Sequence, residues 1–352
     1  MQDSQVLRNP LLPPGPDNPR NSEGAFVGLA DGRLLFAYSH FTGGAHDDSP
    51  SYLAARRSSD GGRTWTAQDE TLVENVAMNT MSVSLLRLQD GRIALGHLLR
   101  QPHEEKGQEL AFLLRFSADE AQTWSDPLCC TSPPSYYVVN NDRLVQLSSG
   151  RLIVPAADHK FFGGSRIGLG DCVCFLSDDA GATWRPGAFV PRPDFAEPIS
   201  FQEPLVVELT NGRLLMLIRN ATGCLYRSWS EDAGESWTTA EPTDLLSPLS
   251  PASCKRLPQT GDLLIVYNDH TGVPEEGRGY RTPLVTRISQ DEGQTWIKPR
   301  VLEDDPGGWY CYTAIHFIED AVLLGHCAGQ RATGGLNTTQ ITRFPVEWLY
   351  EE

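Results

Sequence analysis

A glutamate and a tyrosine occupy equivalent places in an internal repeat of this 352-residue chain. Glu203 lies nine residues before the turn glycine Gly212, and Tyr312 nine before Ala321, the counterpart of such a glycine. The pair suggests a chemistry. A phenol with its ordinary pKa of about 10 is inert at neutral pH unless a neighbouring base takes its proton. With a carboxylate beside it, a tyrosine can attack the anomeric carbon of a sugar, as happens in one exceptional group of retaining glycosidases. A neutral phenol is also the better nucleophile where that carbon bears a carboxylate, which would repel an anion.

The same count in the other repeats reaches Glu23, Ser82, Asn141 and Ala252. Polar groups at the head of apolar runs predict a polar funnel at one common axis. A second series follows the turns: His40, Arg100, His159, Arg219 and His270, with His46-Asp47-Asp48 in the segment after the first. Asp47 or Asp48 is the candidate to protonate a leaving oxygen. Glu23 with His40, His159 and His270 leaves open a second chemistry, hydrolysis or elimination on another sugar or uronic acid. The histidines lack close ligand spacing, so no metal and no cofactor is expected. Glu303-Asp304-Asp305 reads as a solvated turn rather than a calcium loop.

Two interleaved motifs define the elements that must carry these groups. Ser-x-Asp-x-(Gly/Ala)-x-(Thr/Ser)-Trp occurs five times, with aspartates 60, 119, 179, 232 and 291 spaced 59, 60, 53 and 59 residues apart. Between the copies run Asp31-Gly32, Asp90-Gly91, Ser149-Gly150, Asn211-Gly212 and Thr260-Gly261, each an x-Gly hairpin signal between apolar runs, and a degenerate sixth at Asp320-Ala321. Each unit therefore holds four short strands in 50–60 residues, one blade of a propeller. The expected architecture is all-β, a six-bladed β-propeller in a single domain over residues 1–352, with the N-terminal segment closing the ring. In the Trp motif the aspartate accepts turn amides and the tryptophan packs between blades, a structural role.

Composition narrows the partners. Forty per cent apolar and 21% charged residues suit a packed core, and no apolar run reaches the ~18 residues of a membrane span, so a soluble protein is expected. A net charge of −16 opposes binding to nucleic acid or anionic membranes, and an anionic substrate would need a local arginine cluster. The eight scattered cysteines read as free thiols. The first twenty residues show no apolar signal core, which leans toward a cytoplasmic location.

On these motifs the chain resembles the sialidase (neuraminidase) superfamily, whose Asp boxes look like the five Trp repeats. The resemblance implies a glycan or glycoside substrate and an exo-acting retaining hydrolase for a terminal acidic sugar. Phe201-Gln202-Glu203-Pro204 with Leu217-Ile218-Arg219-Asn220 resembles the segment of the catalytic glutamate and one carboxylate-binding arginine. Arg281 in Tyr280-Arg281-Thr282-Pro283 matches a second such arginine. Cys311-Tyr312-Thr313 matches the nucleophile segment, with Tyr310 as fallback on the same strand face, and Asp47 falls where the acid/base aspartate is placed. The front departs from the pattern. Where the family opens its first blade with Arg-Ile-Pro, this chain has Asn21-Ser22-Glu23-Gly24, with Arg20 three residues upstream as a loop residue able to reach in. Three readings follow: the sialidase-like hydrolase, an enzyme on another sugar using the Glu/His funnel, or a non-catalytic carbohydrate-binding propeller.

Overall fold

A computed structural model describes residues 5–351, apart from 105–106, 133–134, 163–164, 196 and 198. The strands form six antiparallel sheets ranked around an axis, a six-bladed β-propeller. Blade one runs Arg20–Gly28, Leu34–Phe41, Ser51–Ser58 and Glu70–Val73 from the axis outward. Blade two runs Asn79–Arg87, Ile93–His103, Gly107–Ser117 and Leu128–Cys129. In blade three the inner strand is split into Tyr137–Val138 and Val145–Gln146, beside Leu152–Phe162, Ser165–Ser177 and Arg185–Pro186. Blade four is Gln202–Glu208, Leu214–Arg219, Cys224–Ser230 and Glu241–Leu246. Blade five is Ser253–Arg256, Leu263–Asn268, Leu284–Ser289 and Ile297–Glu303. Blade six takes Gly308–Ile318, Ala321–Gln330 and Thr339–Pro345 from the end of the chain and its outermost strand, Leu7–Leu12, from the beginning.

The sequence dictates this layering. The second strands are near-continuous apolar runs because both of their faces are covered by neighbouring blades: every residue of Leu214–Arg219 and of Leu263–Asn268 is buried. Blade four packs Leu205, Leu215 and Leu217 against Cys254, Leu263 and Ile265 of blade five. The hairpin glycines Gly32, Gly91, Gly150, Gly212 and Gly261 all have φ between 81° and 93°, open to glycine at no steric cost. In each Asp box one carboxylate ties a turn shut. Asp232 accepts Ser236 N at 2.9 Å, Ser236 Oγ at 2.5 Å and Ser230 Oγ at 2.8 Å.

One backbone device decides where the site lies. The inner strands of blades one, two, four and six break register between Ser22/Ala25, Met81/Ser84, Gln202/Leu205 and Cys311/Ala314. The residue inside each break is left-handed: Glu23 (φ 57°), Ser82 (58°), Glu203 (42°) and Tyr312 (55°). These are β-bulges, which re-aim a side chain, and αL costs a non-glycine residue roughly 1–2 kcal/mol. Left-handed residues also follow the Asp-box aspartates, at Glu120, Ala180, Ala233 and Glu292, but only the inner-strand set aims side chains at the axis, which makes that end of the ring the candidate site. Blade three shifts by one: the left-handed residue is Asp142 (φ 57°), not Asn141, and it sits in the gap between the two inner strand pieces. Blade five has no such residue at Ala252.

Candidate active site

The bulges of blades six and four bring Tyr312 and Glu203 together. Tyr312 Oη donates to Glu203 Oε1 at 3.4 Å, and the other oxygen, Oε2, accepts a short hydrogen bond from Arg219 Nη1. Both side chains line a cavity of about 60 Å³ at the axis, with Glu23 and Asp47 of blade one, Ser82, Leu98 and Arg100 of blade two, and Val138, Val139 and Asn140 of blade three. A larger void of about 320 Å³ lies further along the axis, walled by Leu144, Leu205 and Phe317, where the Asp142 carboxylate is tied up by Lys255 Nζ at 2.8 Å. The smaller cavity carries the reactive groups.

Charge is balanced locally. Burial works to raise Glu203, but Arg219, Arg281 and Arg143 outweigh it and hold the carboxyl below its ordinary range. Tyr312 is pushed up by burial and by the Glu203 charge, against Arg281 and Arg219, so it rests as a neutral phenol. Arg281 lies 5.3 Å over the Tyr312 ring and 5.2 Å over Trp309, with Nη1 3.0 Å from Cys311 Sγ. Burial works against ionisation of Cys311, yet contact with Cys327 and Arg281 brings its thiol down to about 7.

Arg20 is no loop residue: it opens the inner strand of blade one and is 1% exposed. Its guanidinium joins the two acids of that blade, Nη1 to Asp47 Oδ1 at 2.6 Å and Nη2 to Glu23 Oε2 at 3.2 Å. Glu23 thus fills the strand-top position with a compensating base beside it. Burial first, then Asp47, Glu203 and Cys311, raise Glu23 to about 7 against the pull of Arg20. Asp48 is exposed and off the cavity wall, whereas Asp47 is on it.

Several sequence expectations fall elsewhere. Asn141 is fully buried, and its Nδ2 donates to Gly24 O at 2.7 Å and Tyr312 O at 3.0 Å, so it braces the backbone of two bulges and is not on the wall of this cavity. Tyr310 does not share a face with Tyr312, because the bulge interrupts the alternation; it packs with Leu284 and Leu302 in the core between blades. The histidines do not line the funnel. His40 holds Asp69 at 3.0 Å and stacks on Tyr52, His159 packs on Gly170, and His270 Nε2 meets Tyr280 O at 2.9 Å. Register parity explains it. Measured from the bulge, Ser39 is the counterpart of Arg219, so His40 is one residue further and points to the other face. Leu98 is the counterpart in blade two, and Arg100, two residues on, returns to the cavity face. Counting in twos from the bulge is the signal that finds Arg100. Among the described residues no group of three or more His, Cys, Asp or Glu is arranged to hold a metal ion.

A six-bladed ring with bulged inner strands around a tyrosine–glutamate couple defines a class, and comparison with known proteins places the chain within it. Residues 100–324 match the BNR repeat-like domain, and the chain belongs to that family, within the sialidase-like superfamily. It is 25% identical over 323 residues to a sialidase of Micromonospora viridifaciens, covering 81% of this chain and 46% of that one. The chain spans about half the length of the curated relatives it matches. Among solved structures, a protein of unknown function from Dyadobacter fermentans superposes with a TM-score of 0.76 at 18% identity, covering 97% of this chain and 100% of that one. The Hadza microbial sialidase Hz136 gives 0.76 at 17% identity, covering 94% and 67%.

Proposed function

We propose that the protein is an exo-acting retaining glycoside hydrolase that releases a terminal acidic sugar. The observation that carries this reading is the hydrogen bond from Tyr312 Oη to Glu203 on the cavity wall. As Glu203 takes the phenol proton, Tyr312 Oη bonds to the anomeric carbon while the bond to the leaving oxygen breaks. Asp47, the more exposed of the two Arg20-linked acids, gives that oxygen its proton. It then draws a proton from the water that attacks the anomeric carbon, while Glu203 returns its proton to the departing Tyr312 oxygen, and the sugar leaves with its original anomeric configuration. Arg219 and Arg281 keep Glu203 ionised at rest and offset the charge passed to the phenolic oxygen. Arg100, the one cation among the described residues of a cavity wall whose nearby Arg20 and Arg219 are already paired with acids, favours a substrate that is itself an anion. The relatives named as sialidases support the same class of chemistry.

The test is turnover of aryl glycosides of acidic sugars by the wild type, Tyr312→Phe and Glu203→Gln, with the product anomer followed by proton NMR. The expected result is release with retention, reduced by about 10³-fold or more in both variants. Full activity in Tyr312→Phe overturns the nucleophile, and no turnover of any acidic glycoside overturns the enzyme reading in favour of a binding propeller.

A further inference from the structure

The cavity wall holds three carboxylates, Glu23, Asp47 and Glu203, and a single cation among its lining residues, Arg100. The other buried arginines nearby are taken up by the protein itself: Arg143, which pairs with no carboxylate among the described residues, stays off this wall and gives Nη1 and Nη2 to the Asn141 and Ala252 carbonyls at 3.1 and 2.7 Å. Arg20 is divided between Glu23 and Asp47, and Arg219 is paired with Glu203. Arg281 is spent on Cys311 Sγ and on the Leu249 carbonyl at 3.5 Å. Arg100 is 5% exposed and pairs with no carboxylate among the described residues. Its contacts are Nη1 to the neutral Gln108 Oε1 at 3.2 Å and the Tyr136 ring at 5.4 Å, and its buried Nε has no hydrogen-bond partner. Arg219 Nε also lacks a partner, but its guanidinium is already neutralised. A buried cation without a counter-charge is costly to keep, and the missing partner is an anion that arrives from outside.

Its place in the ring says where on the sugar that anion sits. With Tyr312 Oη at the anomeric carbon, a carboxylate on that same carbon would lie beside the groups flanking the phenol, Arg219 of blade four and Arg281 of blade five. Blade two faces blade five across the axis, so Arg100 meets a substituent on the far side of the sugar ring. At the strand-top position of blade one, Glu23, tied to Arg20, offers a carboxylate no free cation and suits hydroxyl groups. Resting on the glycosidase reading above, we infer that Arg100 is the substrate-charge reader of this site, and that the sugar it takes carries its anionic group away from the anomeric carbon, as in a hexuronic acid or a hexose 6-sulfate, rather than on it. The acid group and the reacting carbon are then read from separate blades, two and six.

The experiment measures binding separately from turnover. Isothermal titration of the inert Tyr312→Phe variant uses methyl hexuronides, methyl hexoside 6-sulfates, the uncharged methyl hexosides and a methyl sialoside, each in both anomers. The expected result is at least a tenfold preference for a hexuronide or a 6-sulfate over the uncharged sugar, the two arms telling carboxylate from sulfate. Adding Arg100→Met erases that preference, and Arg100→Lys retains part of it, with thermal melts reporting whether each variant is folded. A sialoside bound more tightly than the other anions, a preference that survives in Arg100→Met, or binding of none of these sugars overturns the inference. Turnover by the wild type of whichever sugar binds is scored independently, so selective binding without release refutes the glycosidase reading and leaves the assignment of Arg100 standing.

Discussion

Replacing Glu23 by glutamine should make the protein more stable relative to wild type as the pH rises, and the size of the effect can be worked out. Glu23 is 5% exposed, and its carboxyl is raised from 4.5 to about 7 by burial, with Asp47, Glu203 and Cys311 adding to it and Arg20 opposing. Between those two values the folded chain keeps a proton that the unfolded chain has released, so the folded state binds more protons and stability falls with rising pH. The contribution is fully present below about 4.5 and gone above about 7. At about 1.4 kcal/mol per unit it amounts to about 3 kcal/mol. Glutamine does not titrate, and Arg20 keeps Asp47 as its partner. In urea denaturation followed by tryptophan fluorescence, the unfolding free energy of Glu23→Gln minus that of wild type should therefore grow by about 3 kcal/mol from about pH 4 to about pH 8. A difference that stays flat over this range would mean that Glu23 titrates as an ordinary solvated acid, and the account of a buried carboxyl held against its neighbours would fall.

Three further substitutions probe the frame. Asn141→Ala leaves the carbonyls of Gly24 and Tyr312 without their shared donor, and should cost about 2 kcal/mol or more in chemical denaturation while, on the proposed mechanism, lowering kcat by displacing the Tyr312 backbone. Gly24→Ala puts a Cβ 2.4 Å from Phe36 Cζ and 2.7 Å from Ala37 O, so a loss of about 1–3 kcal/mol is expected, read as a lower thermal midpoint. Asp232→Ala removes the acceptor of three hydrogen bonds in the blade-four Asp box, away from the cavity; a loss of about 1–2 kcal/mol with KM unchanged is expected, and a raised KM would tie the box to the substrate site.

The repeats made the ring legible, since glycine turns and Asp boxes recur at fixed intervals and each is a local rule satisfied within a few residues. The count back from the turns found Glu23, Ser82, Glu203 and Tyr312 because four inner strands insert one extra residue at the same height. It missed by one in blade three, where the inner strand splits around Asp142 and no regular ladder carries the count. Side-chain direction was harder to read. His40 and Arg100 look alike as strand-end nitrogen side chains, yet one residue of parity sends the first to Asp69 and the second to the cavity. The Arg20 link between Glu23 and Asp47 crosses 27 residues of chain, a contact set by how a loop folds back over the strand top. No pattern in a single sequence encodes that.

The outermost strand of blade six also determines how the ring responds to force. Leu7 pairs with Arg343 and Leu12 with Thr339, and Gln5 Nε2 donates to Glu351 Oε1 at 2.9 Å, so both described ends of the chain leave from the same corner. Tension applied between them first loads the Gln5–Glu351 contact and the buried Val346, Trp348 and Leu349, then reaches the Leu7–Arg343 pair and opens the ladder one rung at a time, instead of loading all the rungs together. A clasp built this way holds against heat, which must loosen the whole ring at once, and peels under a pull. Mechanical and thermal resistance are therefore separate properties of this fold, the first set by a few rungs of one seam and the second by six interlocked blades.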